Sequence, residues 1–106
     1  MSDIHMDPKV VSALRDVMEG GFEDLLDTFL SDSEERLDQL RSTHEAHDLS
    51  LVAHSFKGSS SNMGAIRLAH LCGLLEERAQ KKPLAGIKEL VVKIDDEYQM
   101  VRRLYR

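Results

Sequence analysis

Between Phe22 and Leu104 apolar residues recur every three or four positions, and no stretch alternates in twos. That spacing lines one face of a helix and cannot line one face of a strand. Phe22, Leu25, Leu26, Phe29, Ser33, Leu37 and Leu40 mark a long amphipathic helix running to about His44. Ala65, Leu68, Cys72, Leu75 and Ala79 form a second stripe, and Ile87, Leu90, Val91, Ile94, Tyr98, Val101 and Leu104 a last one. Between them, Asp48 is placed to cap a helix that runs to about Ser61 or Asn62, and Asn62-Met63-Gly64 ends it. Asp7-Pro8 offers a cap followed by proline at the first helical position, starting a short helix to about Val17. Gly20-Gly21 bends the chain after it, and Lys81-Lys82-Pro83 stops the fourth helix with basic charge at its C-terminus. Short loops between long helices make antiparallel neighbours. The expected fold is therefore all-α: an up-and-down antiparallel four-helix bundle with an additional short N-terminal helix.

Composition agrees with this and narrows the function. A chain of 106 residues suits one domain, residues 1–106, with a bundle core over about residues 20–105. Aromatics are 5% and Trp is absent, so aliphatic side chains and Met must fill the interior. The net charge is −5 without a basic block, which argues against nucleic acid or an anionic membrane as partner. No apolar stretch exceeds about five residues, against the ~20 that a membrane helix needs. Met1-Ser2-Asp3 opens no secretory signal, and Cys72 stands alone within an apolar stripe as a buried reduced thiol. Both features point to the cytoplasm.

One helix is a poor helix former where it should be a good one. Ala53-His54-Ser55-Phe56-Lys57-Gly58-Ser59-Ser60-Ser61 puts a glycine and three serines in succession. A glycine inside a helix costs roughly 1 kcal/mol relative to alanine. At about 100° per residue, Val52, Phe56, Ser59, Ser60 and Met63 share one side, with Val52, Phe56 and Met63 as the apolar stripe. His54, Lys57, Gly58 and Ser61 project from the other. A solvated face that happens to carry a histidine has no reason to be built from such residues. An imidazole beside a cation and a bare patch of backbone is suited to taking up a phosphoryl group. Neutral imidazole, with an unperturbed pKa of about 6.5, is a good nucleophile near neutrality. Lys57 can offset charge on the phosphoryl oxygens, and Gly58 leaves room for an approaching partner. The chain has no GxxxxGK[ST] loop to cradle a nucleotide and no specific acidic arrangement for Mg²⁺. It reads as a carrier and not an enzyme in its own right.

The run His54-Ser55-Phe56-Lys57-Gly58-Ser59-Ser60-Ser61-Asn62-Met63-Gly64 resembles the signature of histidine-containing phosphotransfer (HPt) domains, H-x-[FL]-K-G-[SA]-[SA]-x-x-[LIM]-G. The helical pattern from Phe22 to Tyr98 is similar to the family as well. The resemblance implies a bundle whose exposed histidine accepts phosphate from the receiver domain of a hybrid sensor kinase and passes it to a response regulator. It places His54 at the phosphorylated position, Lys57 at the charge-stabilising one, Gly58 at the access position and Gly64 in the turn before the next helix. It also implies that the chain itself holds no cofactor and that the receiver partner supplies Mg²⁺. Where the family often has a glutamine facing the ring, the matching position is Glu76. Two roles stand open for it: a hydrogen bond to the His54 ring that fixes the tautomer, or an ordinary surface pairing with Lys or Arg. Ala65, Ala69 and Gly73 form a lane of small residues leading toward Glu76.

Other candidates are weaker. His44 and His47 lie three apart without a third ligand, His70 falls off the apolar stripe, and His5 belongs to a mobile tail. Leu51 is either part of an apolar docking rim beside His54 or covered by the long second helix. The expectation is a monomeric phosphorelay carrier. The rival functions are a receiver-binding helical adaptor without transfer, and a metal-binding bundle, which would need paired Glu-x-x-His motifs that are absent.

Overall fold

The structure is a computed structural model that describes residues 4–81 and 85–105. The sequence signals at Met1-Ser2-Asp3 and at Lys82-Pro83 lie outside the described residues. Five helices follow in order: α1 (Pro8–Met18), α2 (Phe22–Ser42), α3 (Ala46–Asn62), α4 (Ile66–Ala79) and α5 (Ile87–Tyr105). A 3-10 turn, Glu19–Gly21, joins α1 to α2. The bend there is taken by Glu19 at φ +48° and not by either glycine.

The four long helices close a ring. α2 packs on α3 and α5, and α4 packs on α3 and α5, with α3 against α4 the most extensive pair. Ala53 on α3 and Ala65 at the entry to α4 are fully buried, and Ala69 is half-buried, so small side chains let these two backbones approach. Phe56, Leu26, Leu37, Leu68, Leu75, Ile94 and Val101 fill the interior. Each contributes about 1.5–3 kcal/mol by leaving water. Tyr98 crosses the core, and its hydroxyl proton is shared between Glu34 Oε2 at 2.7 Å and Leu30 O at 3.1 Å, tying α5 to α2. Arg41 adds an ion pair to Asp95 at 2.7 Å on the same seam. Cys72 is buried, and desolvation pushes its thiol up to about 12.

Four expectations from the sequence need correction. α3 begins at Ala46, two residues ahead of Asp48, so Asp48 is not its cap. Glu45 holds the cap position in an extended conformation, and Asp48 instead places negative charge in the first turn, where the helix dipole favours it. α2 ends at Ser42 because Thr43 turns to extended backbone before His44. On α5 Leu104 is 53% exposed, and the buried residue is Tyr105. Its ring lies against Phe22, and its hydroxyl donates to the carbonyl of Met63. The inner stripe of α5 thus runs Ile94, Tyr98, Val101, Tyr105.

His5, finally, is not a free tail. Asp7 caps α1 by accepting from Lys9 N at 2.9 Å, while its own N–H donates to Gly64 O at 2.7 Å. Pinned there, the preceding residues run along α5, and His5 Nδ1 sits 2.6 Å from Glu97 Oε2. Arg67 holds the other oxygen of that buried carboxylate at 3.5 Å. Gly64 occupies the point where α1 crosses the α3–α4 turn. Its φ is +76°, and a methyl group there would lie 3.0 Å from Val10 Cβ.

Candidate functional site

The glycine and serine run of α3 stays helical to Asn62, and its two faces separate as the spacing requires. Phe56 and Ser60 are buried, Val52 and Ser59 are half-buried, and His54, Ser55, Gly58 and Ser61 are exposed. The Ser59 hydroxyl folds back to donate to Phe56 O at 3.1 Å, which lets a polar residue sit at the edge of the core.

Glu76 on α4 joins two side chains of α3, His54 and Lys57. One carboxylate oxygen, Oε2, is 2.8 Å from His54 Nδ1, and the other accepts from Lys57 Nζ at 3.0 Å. Both roles left open for Glu76 by the sequence are filled at once. An ionised carboxylate only accepts hydrogen bonds, so Nδ1 carries a proton, and in the neutral ring Nε2 then keeps its lone pair. The His54 side chain is 67% exposed, whereas Glu76 is 19% exposed. The ring is therefore fixed from below and open above. Lys57, 42% exposed, lends its ammonium to the same carboxylate. The Glu76 carboxyl is held below the usual carboxylate range, chiefly by the Lys57 hydrogen bond and then by the one from His54, against the opposing effect of burial. It stays ionised at neutral pH.

The surroundings are bare on one side and apolar on the other. A methyl group added to Gly58 would meet nothing within 4 Å. No contact among the described residues asks for a glycine at that position. Leu51, one turn before His54, is 55% exposed, so α2 does not cover it. A shallow groove beside it is lined by Asp32, Arg36, Gln39, Val52 and Ser55. His44, His47 and His70 are exposed, and among the described residues no three His, Cys, Asp or Glu side chains converge as a metal site would require. No described helix is long and apolar enough to cross a membrane.

One contact beside the site lay beyond sequence reasoning. The stem of Lys57 lies over Gly73 on α4, where a methyl group would come within 3.4 Å of Lys57 Cδ. The small-residue lane hinted at closeness between the helices, but nothing in it named Lys57 as the side chain that fills the space.

The comparison with family models decides the identity of this arrangement: the model described as the Hpt domain matches residues 24–104. The chain belongs to the Hpt family. Among solved structures, this Hpt protein is similar to the crystal structure of histidine-containing phosphotransfer protein B (HptB) from Pseudomonas aeruginosa PAO1. The TM-score is 0.93 at 44% sequence identity, covering 98% of this chain and 93% of that one. No sequence among the curated proteins matches it. As an Hpt protein it is a phosphotransfer carrier of a phosphorelay rather than a classical enzyme, and the partners of such domains are receiver domains.

Proposed function

We propose that His54 is the phosphoryl acceptor of this carrier and that its reacting atom is Nε2. The observation that carries this is the 2.8 Å contact of Nδ1 with Glu76 on a ring that is otherwise mostly exposed. In the forward step the Nε2 lone pair attacks phosphorus of a receiver aspartyl phosphate. The N–P bond forms, the P–O bond breaks, and the aspartate leaves as carboxylate. No proton has to move, because Nε2 carries none. The ring becomes cationic as the bond forms, and the Glu76 carboxylate on Nδ1–H stabilises that charge. Lys57, bound to the same carboxylate as His54, shares its hydrogen bonding between Glu76 and the phosphoryl oxygens, since an ammonium has three donors. Gly58 leaves the approach clear, and Leu51 supplies an apolar rim for the receiver to sit on.

We extend the proposal to the partners and setting that the family resemblance implies. The receiver domain of a hybrid sensor kinase donates and that of a response regulator accepts. Mg²⁺ belongs to those receivers, and this chain brings no cofactor of its own. The protein acts in the cytoplasm as a monomeric single domain over residues 1–106.

Incubation with a phosphorylated receiver and Mg²⁺ tests the assignment. Acid-labile label should appear on the wild type and be absent from His54→Gln with an unchanged circular dichroism spectrum. Label persisting in that variant would rule out His54. A wild type that binds receivers but never takes label would instead be an adaptor.

A further inference from the structure

We infer that Gly73 is a positioning residue for phosphoryl transfer: by carrying no side chain larger than a methyl group it keeps open the path along which the Lys57 stem crosses α4 to set its ammonium on Glu76, beside His54. The inference rests on the assignment of His54 as acceptor and extends it to a residue outside the signature of α3. Gly73 lies in the middle of α4, where glycine weakens a helix relative to alanine. Its backbone is not in the left-handed region, so no turn calls for glycine. No core side chain needs the space either. Among the described residues, beyond its chain neighbours and its own helix backbone, the one heavy atom within 4 Å of a methyl group built at Gly73 is Lys57 Cδ, at 3.4 Å. Three residues further along α4, Glu76 Oε1 receives the ammonium at 3.0 Å. The stem enters over Gly73 and the charge ends at Glu76. Residues three apart on a helix are surface neighbours, so the two positions form one track.

A β-branched side chain at residue 73 cannot rotate both of its methyl groups out of that track, and valine is no worse a helix former than glycine. Gly73→Val should therefore displace Lys57 while leaving the bundle folded. Single-turnover transfer from a phosphorylated receiver is measured for the full chain, Gly73→Val, Lys57→Ala and the double variant. Gly73→Val is expected to slow transfer roughly tenfold, about as much as Lys57→Ala, as suits a half-exposed cation acting on developing charge. In the double variant Gly73→Val adds nothing. Equal slowing by Gly73→Val in both backgrounds, or no slowing at all, overturns the inference. Gly73→Ala, whose methyl only touches the stem, should stay within about twofold of the wild type. A loss there equal to that of valine also counts against the claim.

A second readout is independent of transfer. The Glu76 carboxyl titration, followed by ¹³C NMR without any partner, should move up toward the usual carboxylate range in Gly73→Val. An unmoved titration contradicts the inference. If the titration moves but the wild type takes no label, the acceptor assignment has failed and the placement of Lys57 stands.

Discussion

Gly58 and Gly64 stand six residues apart, one within α3 and one just beyond its end, and they answer to different demands. Gly64 is required by the protein itself. Its backbone is at φ +76°, its carbonyl accepts from Asp7 N, and a side chain would collide with Val10. Gly58 is helical and faces open space, so nothing among the described residues asks for it. Under the proposed function, a glycine that costs stability and meets no internal need serves the receiver that approaches from outside. The same division separates two histidines. His5 is spent on Glu97 in the strap that crosses the α3–α4 turn, and it is more covered than His54. His54 commits one nitrogen inward and leaves the other open.

Substitutions at the two glycines and around His54 should pull stability and transfer apart. The largest effect on stability is expected from Gly64→Ala. A side chain in the left-handed region together with the Val10 contact should cost about 2 kcal/mol, or roughly 10 °C in melting temperature. Transfer by the fraction that remains folded should be nearly unchanged; a collapse in transfer rate with normal stability would break the contrast. Next is Lys57→Ala, expected to slow transfer roughly tenfold without moving the melting temperature by more than a degree or two.

Glu76 sharpens the comparison through pH. Its folded carboxyl titrates below the unfolded one, so its contribution is present in full above the ordinary carboxylate range and is lost as pH falls through the depressed value. Carboxyl NMR should therefore show Glu76 ionised throughout the neutral range. In Lys57→Ala its midpoint should rise, because the Lys57 hydrogen bond is the leading cause of the shift. An unmoved midpoint would mean that the ammonium is not seated there. Smallest is Gly58→Ala. Helix propensity predicts a gain of up to about 1 kcal/mol, with transfer slowed only a few-fold because the methyl intrudes on the partner alone. Equal or faster transfer would remove the access argument.

The sequence disclosed what is local. Apolar spacing gave the helices and the outward placing of His54, Gly58 and Ser61, since both follow from residues within one or two turns, while Ser59 and Ser60 of the same run lie half-buried and buried. The start of α3 was misplaced because Asp48 is a good capping residue by type, whereas Glu45 takes the position through backbone conformation alone. Leu104 stands in the expected stripe where Tyr105 is the buried residue, because either position fits a helical stripe. Only the Met63 carbonyl and the Phe22 ring, far off in sequence, decide for the tyrosine. The His5 strap and the passage of Lys57 over Gly73 are likewise contacts between distant segments, which periodicity cannot register.

The most direct trial of this account is ¹⁵N NMR of the His54 ring before and after phosphorylation by a receiver. Before, the ring should be the Nδ1–H tautomer with its proton bonded to Glu76; afterwards the phosphorus should couple to Nε2. A phosphoryl group found on Nδ1, or a free ring protonated at Nε2, would contradict the view that Glu76 commits one nitrogen so that the other can react.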